Sequence, residues 1–142
     1  IRDSYTDEWL EEQNRREATP RSFRGKEYNA YEATQKQRQM ETAMRARREQ
    51  VQLLRTAGAD KEDITIAQCK YQAQLEQYRS FSAAMGLEEQ MERVYTGRTT
   101  GRISPSPQVY ARWQAEQIAK AQERAEKRRR ADQDAAQRGG ST

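Results

Sequence analysis

Residues 29 to 86 constrain this chain more than any other stretch, because they carry two apolar seams at helical spacing joined by Thr56-Ala57-Gly58-Ala59-Asp60. In the first, Met40, Met44, Val51 and Leu54 recur at steps of four, seven and three, which sets them on one narrow helix face, with the rest of that helix polar. In the second, Ile64, Ala67, Tyr71, Gln74/Leu75, Tyr78, Phe81 and Met85 follow a three-four alternation close to a coiled-coil seam. A connection this short forces antiparallel neighbours, so the pattern predicts an extended αα-hairpin with arms of roughly 42 and 37 Å. Asn29 and Glu32 have the spacing of a capping box, Gly58 and Gly86 stand where helices stop, and Asp60, Glu62 and Asp63 suit the positive end of the second helix.

Composition limits what the hairpin belongs to. Of 142 residues, 34% are hydrophobic and 34% charged, so a large private core is not expected. The net charge of +4 is uneven: −1 over residues 1 to 29, +3 over 30 to 57, −1 over 58 to 106 and +3 over 107 to 142. That asymmetry suits either a mild affinity for polyanions or ordinary solvated helices. A single cysteine, Cys69, cannot form an intrachain disulfide, and with no histidine present it has no Cys-His partner, so it reads as a small residue flanking the seam. No apolar run reaches a membrane-spanning length, and no membrane partner is expected. The first residue is Ile1 rather than Met, as expected of a segment of a longer polypeptide.

Four segments follow from the chain's punctuation. Residues 1 to 28 read as a short docking helix over 6 to 16 and a linker: Thr6 caps, Tyr5 staples against Leu10, Trp9 anchors to the hairpin or to a neighbouring chain, and Thr19-Pro20 ends the helix. Residues 29 to 86 are the hairpin. Residues 87 to 106 hold a short third helix (Leu87, Met91, Val94, Tyr95) and a Gly/Ser/Pro linker in which Thr96-Gly97-Arg98 nearly repeats as Thr100-Gly101-Arg102. Residues 107 to 142 form a separate C-terminal helix capped by Ser106 with Pro107 at its first position; it is apolar through Val109, Tyr110, Trp113 and Ile118, then basic at Lys127-Arg128-Arg129-Arg130, and ends in a flexible tail. The fold class expected is all-α.

The run Gly25-Lys26-Glu27-Tyr28-Asn29-Ala30-Tyr31-Glu32-Ala33-Thr34-Gln35-Lys36-Gln37-Arg38-Gln39-Met40-Glu41 resembles the G-K-x-Y-x-x-Y-E-A-x-Q-x-Q-R-x-x-E signature of tailed-bacteriophage minor capsid (minor head) proteins. The similarity continues through Arg45-Ala46-Arg47-Arg48, the Ala57-Gly58 turn and Gln74-x-x-x-Tyr78-Arg79-x-Phe81-Ser82-x-x-x-Gly86-Leu87, and takes in Tyr5-Thr6-Asp7-x-x-Leu10, about residues 5 to 95 in all. The resemblance implies a segment towards the C-terminal side of a longer protein, made with the portal and incorporated inside the phage head, hence present in the virion and, during assembly, in the host cytoplasm. The chain departs from the family in lacking the Cys/His element usual just upstream, and nothing beyond Gly97 resembles it.

Candidate roles follow from residue chemistry. Trp9, Tyr28, Tyr31 and Trp113 are candidate partner-docking anchors, because aromatic side chains bury large area at low entropic cost. Arg45, Arg47, Arg48, Arg98, Arg102, Lys127, Arg128, Arg129 and Arg130 are candidate contacts to a nucleic-acid backbone. With no histidine and with carboxylates scattered at charge-pair spacing, no enzyme, catalytic residue, metal site or cofactor is expected. The expected partners are portal or capsid protein within a multi-chain assembly. Two alternatives stand beside that: a module tracking packaged double-stranded DNA, and a coiled-coil adaptor of a cellular complex.

Overall fold

The computed structural model describes residues 7, 8, 20 to 95 and 103 to 139. Among the described residues the fold is all-α apart from one small sheet, and the chain divides into two units, residues 1 to 104 and 105 to 142.

The first unit is built on α1 (Ala30–Thr56) and α2 (Lys61–Met85), packed antiparallel. The α1 start is a complete capping box: Asn29 Oδ1 accepts from the Glu32 N–H at 2.8 Å, and Glu32 Oε1 accepts from the Asn29 N–H at 3.1 Å. Its end is a Schellman motif around Gly58, at φ +69°, in which the Ala59 N–H reaches the Leu54 carbonyl and the Gly58 N–H that of Arg55. Gly86 at φ +67° ends α2 with the same pair of bonds, Leu87 to Ser82 and Gly86 to Ala83. The seam holds Met40, Met44 and Val51 against Ala67, Tyr71, Leu75, Tyr78, Phe81 and Met85, all buried, with Leu54 and Ile64 partly covered towards the turn.

Residues 21 to 27 are not the linker expected. They form a two-residue hairpin, β1 (Arg21–Phe23) and β2 (Lys26–Tyr28), paired with Phe23 opposite Lys26. Arg24 (φ 51°) and Gly25 (φ 80°) both take positive φ, as the type I′ turn demands. The hairpin exists to deliver rings. Phe23 and Tyr28 share one face and meet Phe81 edge-on at 5.3 and 5.2 Å. The core is therefore larger than the two-in-seven seam suggests.

The expected third helix over 87 to 95 is also corrected. Residues 87 to 90 are irregular, followed by a single 3-10 turn, Met91–Arg93. The reason lies in the backbone groups. The Glu88 carbonyl accepts from Gln37 Nε2 at 2.8 Å and the Gln90 N–H donates to the Tyr78 hydroxyl at 2.7 Å, so groups that a helix would pair internally are held by the hairpin. This strap runs parallel to α1, from Gln37 past Arg45 to Arg48, and buries Val94; Ile103 is buried beyond it.

The second unit is α3 (Pro107–Gly139), opened by Ser106, whose Oγ accepts from the Val109 N–H at 3.3 Å. The helix expected over 6 to 16 lies almost wholly outside the described residues; Asp7 and Glu8 are helical and exposed.

Candidate docking site

Two polar side chains of the signature, Gln37 and Glu41, turn out to be interior. Gln37 is 4% exposed and donates to Ser82 Oγ at 3.0 Å as well as to the strap carbonyl. Glu41, 1% exposed, accepts from the Tyr78 hydroxyl at 2.7 Å through Oε2 and pairs with Arg93 Nη1 at 3.5 Å through Oε1. Burial, followed by the hydrogen bond and charge of Glu41, pushes the Tyr78 hydroxyl up to about 12, against a contribution from the Gln90 N–H in the other direction. Apolar periodicity passes over these residues because it scores Gln and Glu as outward-facing. The spacing that reveals them is chemical: Gln37 and Glu41 are one turn apart and face Ser82 and Tyr78, also one turn apart.

Most motif residues thus hold the fold. Gly25 makes the turn, Tyr28 and Ala33 are buried, Glu32 caps, and Gln37 and Glu41 seat the strap. Tyr28 is therefore corrected from docking anchor to core ring, 9% exposed, with Lys26 Nζ 5.1 Å from its centroid. Tyr31 stands out instead: 71% exposed, its hydroxyl accepts from Gln35 at 2.8 Å. Trp113 is half-buried in the second unit, stacked on Tyr110 at 5.9 Å. Trp9, Arg98 and Arg102 lie outside the described residues.

The described basic candidates differ in what surrounds them. Arg45 spends its guanidinium on the Arg93 carbonyl at 2.8 Å and Thr42 Oγ1 at 2.9 Å. Arg48 is corrected outright: 8% exposed, it lies against the Tyr71 and Tyr95 rings at 5.5 and 4.7 Å and cannot track a DNA backbone. Lys127, Arg128, Arg129 and Arg130 are exposed on α3, but four consecutive helix residues point around the cylinder rather than along one face, and Arg130 pairs with Glu126 at 2.8 Å. Cys69 is buried, and desolvation raises its thiol, which keeps it protonated and unreactive near neutrality.

The hairpin has two flanks. One carries the strap. The other is an open groove of about 700 Å³ whose apolar lining is Ala43, Ala46, Leu54, Ile66 and Ala67, edged by Arg47, Asp63 and Lys70. Small residues on both helices let an incoming backbone approach closely, and the mixed charges at the edge can fix its register. Among the described residues no cluster of potential ligands could hold a metal ion, and no helix is long and apolar enough to cross a membrane. No family model, no curated protein and no solved structure matches the chain.

Proposed function

We propose that this chain is a structural, non-catalytic docking segment of a tailed-phage minor head protein, seated on portal or capsid subunits inside the head. The observation that carries the docking reading is the flank that no described residue of the first unit covers: an antiparallel helix pair presents a groove lined by alanines, Leu54 and Ile66 while its own strap runs along the other flank. The phage assignment rests on the motif resemblance over residues 5 to 95. Supporting it, the two stretches that carry the resemblance supply both halves of the interior network, Gln37 with Ser82 and Glu41 with Tyr78. A motif of this kind specifies a scaffold, and a scaffold with one exposed flank suits an assembly role. Tyr31 on the first unit and Trp113 on the second are proposed as further aromatic anchors, each acting from its own unit.

The second reading, a module on packaged DNA, is favoured by one observation: Lys127 to Arg130 are solvent-exposed on α3. A cellular adaptor is the third. Mass spectrometry of purified particles, disassembled stepwise into capsid, neck and tail, tests the assignment. The chain is expected in the capsid or neck fraction; its absence from all three would overturn the virion reading.

A further inference from the structure

Arg48 is a buried cation with no counter-ion among the described residues. It is 8% exposed, its Nη1 donates to the Tyr71 hydroxyl at 3.4 Å, and its Nε is buried with no partner. Among the described residues no carboxylate pairs with it. Guanidinium groups taken out of water are ordinarily paired with an anion, since the desolvation cost is otherwise uncompensated. The two tyrosine rings lie 5.5 and 4.7 Å from the group but supply no full negative charge.

The same side chain lines an open recess of about 520 Å³ on the strap side of the hairpin, with Gln72, Tyr95 and Ser104 at its walls. Arg79, also at the wall, is engaged by Glu89 at 3.1 Å. The recess thus presents a guanidinium with no ion partner among the described residues, flanked by neutral hydrogen-bonding groups. We infer that the Arg48 recess is a receptor site for a single carboxylate carried by a docking polypeptide, an Asp or Glu side chain or a chain terminus. The inference deepens the docking reading and rests on it: the groove on one flank supplies apolar area, and this recess on the other supplies a polar latch.

A carboxylate fits better than a nucleic-acid phosphate for two reasons. Residues 30 to 95, which build the hairpin and the strap, carry ten Lys/Arg against ten Asp/Glu, so no net positive field gathers a polyanion here, while one seated carboxylate needs only the single guanidinium. A duplex presents its phosphates on a convex surface, whereas this guanidinium is sunk between two rings and is reached only by a group that projects inward. Arginine suits the role because its planar fork, already confined by burial beside two rings, loses little freedom on accepting a carboxylate.

The test uses the full chain, labelled with nitrogen-15, and a blocked Ala-Glu-Ala tripeptide titrated at constant ionic strength, with the blocked Ala-Gln-Ala peptide as control. The Arg48 Nε–H resonance and the Tyr95 ring signals should shift saturably with the glutamyl peptide and not with the glutaminyl one. Arg48→Lys, which keeps the charge and the fold, should weaken that binding at least tenfold because the fork is lost; Arg48→Met should abolish it with an unchanged circular dichroism spectrum. Equal shifts from both peptides, or undiminished binding in Arg48→Met as read from the Tyr95 signals, would overturn the site. A short DNA duplex that moves the same resonances at lower concentration than the peptide would overturn the carboxylate assignment in favour of phosphate. Tighter peptide binding after amidation of Asp3, Asp7, Glu8, Glu11, Glu12 and Glu17 to their Asn and Gln counterparts would make the chain's own acidic segment the occupant and overturn the intermolecular reading. No portal, capsid or groove ligand is present in the titration, so its failure leaves docking through the groove standing.

Discussion

Replacing Tyr78 by Phe removes one oxygen and should open the strap. That hydroxyl donates to Glu41 Oε2 at 2.7 Å and accepts from the Gln90 N–H at 2.7 Å, in a site where Tyr78 is fully buried and Glu41 is 1% exposed. Phe keeps the ring and its packing, so the transfer and cavity contributions nearly cancel and the polar terms are isolated. A hydrogen bond to a charged acceptor contributes about 1.5 to 3 kcal/mol, and a buried donor left unpaired costs about 1 to 3 kcal/mol. The strap can relax enough to let water reach Gln90, which argues for the lower half of the sum, about 3 kcal/mol. With a urea slope of about 2 kcal/mol/M, the midpoint should fall by about 1.5 M without a change of slope. Hydrogen exchange at Gln90 should accelerate in the same variant, while amides in the middle of α1 change only through the global loss. A loss below about 0.5 kcal/mol, or unchanged exchange at Gln90, would refute the claim that this hydroxyl fastens the strap.

Alkaline titration gives an independent reading of the same group. Its folded pKa, about 12, lies above the ordinary 10.0, so the folded state holds the proton longer; stability is fully present below pH 10 and declines as pH rises from 10 through 12, by about 2 to 3 kcal/mol in all, and Tyr78→Phe should flatten that decline in a chemical-denaturation series. Leu75→Asp sets a carboxylate in the seam, where Leu75 is 6% exposed, and should unfold the hairpin by circular dichroism, whereas Gln39→Asp on the exposed face should shift stability by less than about 0.5 kcal/mol. Asn29→Ala removes the side-chain acceptor of the capping box, leaving the backbone N–H to Glu32 bond in place, and should cost about 1 kcal/mol in thermal or urea denaturation.

The helical hairpin and its punctuation were legible in the sequence because the determinants are local. Three-four spacing, an Asn-x-x-Glu box, two glycines at helix ends and a Ser-Pro start act within a few residues, and the structure uses each of them. The β-hairpin was missed because its turn places Arg24 rather than Asn or Asp at positive φ, so Arg-Gly does not read as a turn dipeptide. The interior network was missed for a different reason. Gln37, Glu41 and Arg48 are polar residues whose burial depends on partners 23 to 52 positions away, and helix periodicity carries no information about such pairs. For the site, Tyr31 and Arg47 lie exposed as a contact role requires, while Tyr28 and Arg48 were misassigned because residue type alone cannot tell a ring or guanidinium that meets a partner from one that meets its own fold.

The docking claim is tested most directly by capture of portal or capsid protein with two variant sets at low and high salt. Ala46→Glu and Ile66→Glu place charge in the open groove at exposed positions that the fold tolerates. Replacement of Lys127, Arg128, Arg129 and Arg130 by Gln removes the exposed basic cluster of α3. Docking through the groove predicts that either groove variant lowers capture at least tenfold at both salt concentrations, while the basic set changes only the association rate and its salt dependence. Capture abolished by the basic set alone, with the groove variants silent, would contradict it.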